Sequence, residues 1–319
     1  MRLSILVVSR TASLVNRLCE SINRACSLST FDVEILCSWN GSTEQEQCIE
    51  NKSRYDFHIA QRTPYHFAGN MNELARLAGG DVLMLANDDL ILDEGCVDKA
   101  LAVLASKPDV GLVGGRLRNQ AGQLTHAGIQ FDSRYSSYHS LEGLIPSNQT
   151  ELTPEGPVAA VTGALQWIRR DDFLQHPFNP KYRICGEDVE LCLDVQQFLN
   201  QQVWLCNEAS AIHESETTRS QQENQHQGSD DLLRLRARTQ TFIAQASAEQ
   251  LRILLMQYQR ESQQLRTLVH NELSDLGEQL LQRKQQQMEK EQEQELVLTD
   301  LRKERLQLMQ EVERLKRGQ

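Results

Sequence analysis

Apolar and polar positions along the first two thirds of the chain switch repeatedly between two periods. Short unbroken apolar runs, "LSILVV" at 3–8, "VEILC" at 33–37, "DVLMLA" at 81–86 and "VGLVG" at 110–114, read as strands buried on both faces. Between them, residues 12–26, 66–78 and 93–106 repeat apolar side chains at three- and four-residue intervals, the pattern of helices with one face in a core. This alternation predicts an α/β fold, a mostly parallel sheet flanked by helices. Such sheets bind ligands at the carboxyl ends of their strands. Here those ends carry Ser9-Arg10, Trp39-Asn40-Gly41-Ser42 and Asn87-Asp88-Asp89.

The pattern changes near residue 220. "SQQENQHQGSDD" opens a stretch rich in Gln, Glu, Leu and Arg and free of Pro, which predicts helix to the end. Ser247 and Gln250 are spaced for a capping box. Leu251, Leu255, Tyr258, Leu265 and Val269 then follow a 4-3 rhythm with Ser262 interrupting, and Leu273, Leu276 and Leu280 continue one residue out of phase. The rhythm returns at Leu298, Leu301, Leu308, Val312 and Leu315, beyond a polar middle and with Arg305 in the seam. This predicts a long α-helical coiled coil that sets oligomeric state, a homo-oligomer, and adds no catalytic group. The expected organisation is a catalytic domain over 1–225, a linker or short helix over 226–246 and a coiled-coil helix over 247–319.

Charge and composition narrow the function. The 319 residues carry a net charge of −11, which disfavours nucleic-acid and anionic-membrane partners, since both need clustered Lys and Arg. An anionic substrate then needs a metal ion to supply positive charge. The eight cysteines form no CxxC and no zinc spacing, and several sit inside apolar runs, as reduced thiols of a cytoplasmic protein do. No run approaches the roughly 20 apolar residues of a transmembrane segment, and "MRLSILVVSR" lacks the features of a signal peptide.

Candidate chemistry lies in carboxylates at element ends. Asp88 and Asp89 are wedged between "VLMLA" and "LIL", where carboxylates are seldom buried without a partner. Glu187-Asp188 opens the amphipathic "EDVELCLDVQQFL", where the helix dipole favours an ionised carboxylate. His213 ends the apolar run "VWLCNEASAI". From the residues alone, plainer roles stay open: loop or capping carboxylates, with Asp93 as the helix cap; a first helical turn; a structural His; a packed Trp39.

In order, "ILVVSR", "WNGS", "LANDDLIL", "GEDVELCLDV" and "AIHESETT" resemble the family 2 glycosyltransferases of GT-A fold, over about residues 1–220. "VGLVGGRLRNQAGQLTHAGIQF" and "VTGALQWIRRDDF" resemble the rhamnosyltransferase-like branch. The resemblance implies an inverting, metal-dependent enzyme that moves a hexosyl or deoxyhexosyl group from a nucleotide-diphosphate sugar donor to a hydroxyl of a saccharide, glycan or polysaccharide precursor. It implies a divalent cofactor, Mn2+ or Mg2+, since a hard cation neutralises a diphosphate leaving group.

The resemblance also assigns roles. Asp89 matches the metal-binding carboxylate of an Asp-x-Asp motif whose first acid is here Asn87, and Asp88 falls on the sugar or ribose side. Asp188 matches the base that takes the acceptor's proton, and Glu187 orients it or touches the acceptor. His213 matches a residue of the metal or diphosphate shell, with Ser215, Thr217 and Thr218 following. Ser9, Arg10, Asn40, Gly41 and Asn70 fall on the donor pocket. Trp39 stands where relatives carry an Asp that bonds the base. Gly163 matches a Gly that lets the backbone approach the donor, and 133–157 is the candidate acceptor loop. Two rivals remain: a nucleotidyltransferase, which would want a Gly-rich basic loop absent from "VVSRTASLV", and a catalytically degenerate sugar-nucleotide-binding scaffold presented by the coiled coil, which Trp39 and Asn87 favour.

Overall fold

The structure, a computed structural model, describes residues 1–214 and 225–317; of 225–229, 287–288 and 290–317 it describes the backbone alone. It divides into two compact units, Met1–Glu261 and Ser262–Gln319.

In the first half of the larger unit the elements run β1 (Leu3–Ser9), α1 (Ala12–Ala25), β2 (Val33–Trp39), α2 (Thr43–Glu46), β3 (Asp56–Arg62), α3 (Phe67–Leu77), β4 (Val82–Asn87), β5 (Leu90–Leu92), α4 (Cys96–Ser106) and β6 (Val110–Arg118). There follow β7 (Leu124–His126), β8 (Ile129–Phe131), β9 (Ser137–His139), β10 (Gly156–Pro157), β11 (Leu165–Arg169), α5 (Arg170–Gln175), α6 (Glu187–Phe198), β12 (Gln202–His213), α7 (Gln225–Gln245) and the start of α8 (Ala248–Arg317).

The main sheet has the order β10-β12-β6-β11-β4-β1-β2-β3, with β5 on β12 and β7 on β6. β3, β2, β1 and β4 are parallel, as are β6 and β12; β11 is inserted antiparallel between β4 and β6. This is the expected mostly parallel sheet. Its apolar strands are buried end to end because helices cover them: α1 contributes Val15, Leu18 and Ile22, spaced to face one side.

Among the strands that escaped the sequence pattern, two did so for visible reasons. β3 is an edge strand with alternating exposure, so it carries no apolar run. β11 is interrupted by Gln166, fully buried, whose Nε2 donates to Val161 O at 3.2 Å. Asp93 does not cap the helix that follows it. Gly95, left-handed at φ 70°, precedes α4, while the Asp93 carboxyl binds Arg118 at 2.5 and 2.8 Å and Ser210 Oγ at 2.5 Å.

The segment expected as a linker or short helix is the helix α7, packed on α6: Leu235 and Phe242 are buried, and Arg238 binds Asp194 at 2.7 Å. The Ser247–Gln250 capping box forms, with reciprocal bonds of 2.8 and 3.3 Å. The first turns of α8 turn Ile253, Gln257 and Glu261, one helical face, toward the rest of the larger unit. None of the eight cysteines is paired. In the smaller unit, Leu265, Val269, Leu273, Leu276, Leu280 and Leu281 are exposed. Among the described residues no helix is long and apolar enough to cross a membrane.

Candidate active site

β4 ends at Asn87 and β5 begins at Leu90, so Asp88 and Asp89 are the whole connection between two strands. Both flanks are pinned. Asn87 N donates to Ala164 O at 2.9 Å, and β5 pairs antiparallel with β12, His213 opposite Leu90. That register carries His213 to the carboxylates: its Nε2 lies 3.3 Å from Asp89 Oδ1 and 3.4 Å from Asn87 Nδ2.

Asp89 is 5% exposed, and its Oδ1 lacks a hydrogen-bond partner despite that close approach. If Asn87 donates to Nε2, the imidazole lone pair and a carboxylate oxygen face each other as two acceptors. A shared cation between them would reconcile the pair. Asp88 turns the other way and accepts Ser9 Oγ at 2.5 Å. Burial pushes its pKa up to about 6 against that bond, and the charge of Asp89 adds to the rise.

The opposite wall is the start of α6. Asp188 Oδ2 accepts Gly163 N at 2.7 Å and its Oδ1 accepts Val189 N at 2.8 Å. A Cβ on Gly163 would sit 2.8 Å from Asp188 Cβ. The close approach that this glycine permits in the structure is therefore to Asp188. Glu187 is buried beside it, and Gly186, at φ 107°, makes the turn into the helix.

One cleft of ≈ 610 Å3 joins these walls. It brings together Ser9, Arg10, Asn87, Asp88, Asp89, Gly163, Glu187, Asp188 and His213. It does not bring Trp39, Asn40, Gly41 or Asn70 to its lining. Trp39 is buried in the core, its Nε1 toward Ser42 O at 3.4 Å. Asn40 ties the β2 end down, N to Ser9 O at 2.8 Å and Nδ2 to Thr63 O. Gly41 leaves room for Arg10 O, which a Cβ would meet at 2.5 Å. Asn70 is buried with its Nδ2 on Ser38 Oγ at 3.0 Å. Asn40 and Gly41 thus support the backbone of Ser9 and Arg10, because strand ends need their backbone polar groups satisfied before they can present side chains. Ser215, Thr217 and Thr218 lie outside the described residues.

Three features of the cleft were not singled out as site residues from sequence. Arg17 binds Glu214 through two bonds of 3.0 and 2.7 Å, which holds the Glu214 carboxyl below its usual range. His126, fully buried, accepts Thr162 N at 3.3 Å and Gly128 N at 3.4 Å on Nε2, and its Nδ1 is 3.0 Å from His139 Nδ1. Burial, then His139, His213 and Arg116, keep it neutral. Arg183 lines the cleft from the loop before α6. A lone Arg on the helix α1, a His at the end of the short strand β7 or an Arg in a loop carries no sequence periodicity of its own, though "LTHAGIQF" includes His126.

Among the described residues no group of three or more His, Cys, Asp or Glu is arranged to hold a metal by itself. Asp89 with His213 nonetheless suits a divalent ion that takes its remaining ligands from a bound diphosphate and water, the usual habit of Mg2+ sites.

Comparison with known proteins fits this geometry. The chain is 28% identical over 178 residues to the O-antigen biosynthesis protein RfbC of Myxococcus xanthus, covering 50% of this chain and 13% of that protein. It is 25% identical over 182 residues to the uncharacterized protein y4gI of Sinorhizobium fredii (strain NBRC 101917 / NGR234), covering 54% and 20%. The chain thus spans a fifth or less of these curated relatives. Among solved structures, the mannosyltransferase PcManGT from Pyrobaculum calidifontis, in complex with GDP-Man and Mn2+, aligns with a TM-score of 0.57 at 12% identity, over 81% of this chain and 68% of that one. S. aureus TarS 1–349 aligns with a TM-score of 0.53 at 13% identity, over 82% and 71%. At such identities the likeness establishes the fold, GT-A. The glycosyl transferase family 2 model matches residues 4–174, from the first strand past β11 and more than half of the chain, and the protein belongs to that family.

Proposed function

We propose that the protein is an inverting, metal-dependent glycosyltransferase moving a hexosyl or deoxyhexosyl group from a nucleoside diphosphate sugar to a saccharide hydroxyl. The observation that carries this reading is the single cleft in which Asp188, at a helix N-terminus, shares a space with the Asp88-Asp89-His213 cluster.

In the reaction the acceptor hydroxyl gives its proton to the Asp188 carboxylate. Its oxygen bonds to the anomeric carbon as the bond from that carbon to the diphosphate oxygen breaks, and the nucleoside diphosphate departs. Asp188 is held by two backbone amides, so its basic oxygen needs no reorganisation to receive the proton. Asp89 and His213 would hold the Mn2+ or Mg2+, which when bound supplies positive charge to the leaving diphosphate. Asp88 and Ser9 form a linked acceptor-donor pair for sugar or ribose hydroxyls. The features that prompted the scaffold reading have structural places: Trp39 packs in the core and Asn87 contacts His213.

The similarity to an O-antigen biosynthesis protein supports a polysaccharide context. Unpaired cysteines support a reducing, cytoplasmic setting. The apolar seam of α8, left exposed at Leu251, Leu255 and Tyr258 and again at Leu265, Val269 and Leu273, supports self-association through a coiled coil.

Thermal shift of the full chain with UDP-GlcNAc, GDP-mannose and dTDP-rhamnose, with and without Mn2+, tests the donor reading. Asp188→Asn then tests the base: nucleotide binding is retained and transfer falls roughly 10²–10⁴-fold. No shift with any donor overturns the transferase, binding without turnover in the wild type points to a scaffold, and near-normal transfer by a folded Asp188→Asn removes the base assignment.

A further inference from the structure

Two buried carboxylates lie outside the matched family segment, and each closes on a different lip of the cleft. Asp231, on α7, is 1% exposed. Its Oδ2 accepts three successive backbone amides, Arg183 N at 2.8, Ile184 N at 2.7 and Cys185 N at 3.3 Å. Such a run of convergent N–H groups is an anion-binding nest, here filled by the chain's own side chain. Arg183 and Ile184 line the cleft, and the next residues are Gly186, Glu187 and Asp188. Arg234 braces the other oxygen at 3.2 Å.

Glu261, on α8, likewise gathers three donors beside another stretch of the cleft lining. It accepts Tyr138 Oη at 2.7, Ser140 Oγ at 3.0 and Leu141 N at 3.2 Å. These residues flank His139 and Glu142, both in the cleft lining. Leu141 has φ 54°, a left-handed conformation that a branched side chain adopts only when its surroundings impose it. The bond from its N–H to Glu261 is one such constraint. Gln257, one turn earlier, accepts Ala159 N at 2.7 Å.

The two sides of the cleft are thus built differently. The metal and donor groups stand on strand ends locked by ladder register. The 183–185 loop belongs to no strand and its three amides close on Asp231; residues 140–142 leave the end of β9, where Ser140 N still reaches Gly128 O at 3.1 Å, and Glu261 is the side chain that gathers Tyr138, Ser140 and Leu141 there. We infer that Asp231 and Glu261 are positioning residues for the acceptor side, so that α7 and the first turns of α8 decide acceptor binding and leave donor binding alone. This rests on the transferase reading above.

The test uses the full chain with Asp231→Asn, Glu261→Gln and, as a control for lost packing, Phe242→Leu, which trims a buried α7 side chain and leaves both carboxylates in place. The donor side is read as the thermal shift with Mn2+ and whichever of UDP, GDP or dTDP shifts the wild type most. The acceptor side is read as transfer to a panel of p-nitrophenyl glycosides against hydrolysis of the donor by water. The expected result is nucleotide affinity within about twofold of wild type for both carboxylate variants. Their transfer-to-hydrolysis ratio falls at least fivefold through a raised acceptor KM, whereas Phe242→Leu changes neither. Equal loss of donor and acceptor binding, or the same ratio in Phe242→Leu at matched Tm, overturns the inference.

Amide hydrogen exchange keeps the outcome separate from the transferase reading. Asp231→Asn should speed exchange at 183–185 alone and Glu261→Gln at 140–142 alone. Without those local changes the positioning role fails even if the enzyme transfers sugar. With them, and with no donor bound by the wild type, it is the transferase reading that fails.

Discussion

Replacing Gly163 by Ala is the sharpest probe of how the cleft holds Asp188, the proposed base. The added Cβ would lie 2.8 Å from Asp188 Cβ, where ordinary contact begins at 3.4 Å. The clash is with an atom fixed to the helix backbone, so no rotamer relieves it. Either the first turn of α6 or the 162–164 peptide must retreat by about 0.6 Å. The peptide is held by Thr162 N on His126 and by Ala164 O on Asn87 N, and the helix start by the nest at 183–185. Overpacking of this kind costs about 1–3 kcal/mol of stability. A misplacement near 1 Å costs roughly 10²-fold in rate, so turnover should fall between about 10- and 100-fold. Nucleotide affinity should hold, because the three atoms nearest the new methyl all belong to Asp188. Thermal melts, steady-state turnover and the Mn2+-dependent nucleotide shift measure the three quantities. A variant destabilised as expected but turning over within threefold of wild type would refute the placement of Asp188 as the base.

Three other outcomes are expected. His213→Ala should raise the Mn2+ concentration needed for the nucleotide-dependent thermal shift at least tenfold, while the melting temperature without metal moves little; an unchanged Mn2+ midpoint removes His213 from the metal shell. Burial raises the pKa of Asp93, but Arg118 and Ser210 outweigh it and hold the carboxyl below its usual range. Its contribution is therefore present above pH ~4 and lost as pH falls through the lowered folded value. The stability difference between wild type and Asp93→Asn, about 1 kcal/mol at neutral pH for this partly exposed pair, should vanish in acid; a difference independent of pH would contradict the ion pair. Truncation after Glu261 should leave the catalytic unit folded and abolish self-association by light scattering, whereas truncation after Ala246 should also destabilise it, since Ile253, Gln257 and Glu261 are lost. Equal stability of the two truncations would show the α8 base to be dispensable.

Local pattern by itself determined the α/β alternation, the central strands, the long C-terminal helix with its capping box, and the carboxylates at the end of β4. Those features follow from periodicity and from the cost of burying charge, which neighbouring residues reveal. Tertiary structure alone decided which distant groups meet. His213 stands beside Asp89 because β5 pairs with β12 in one register, and a slip of one residue would turn it to the other face of the sheet. Trp39 and Asn70, at a strand end and on a helix that looked exposed to ligand, became supports because the chain around Arg10 and Ser38 covers them. The helix after residue 225 reads as polar and separate, yet Asp231 and Glu261 belong to the catalytic unit, since one buried carboxylate satisfied by three donors leaves no periodic trace in sequence. Hydrophobic spacing reports which face of an element is buried. Only the packed chain reports what that face is buried against.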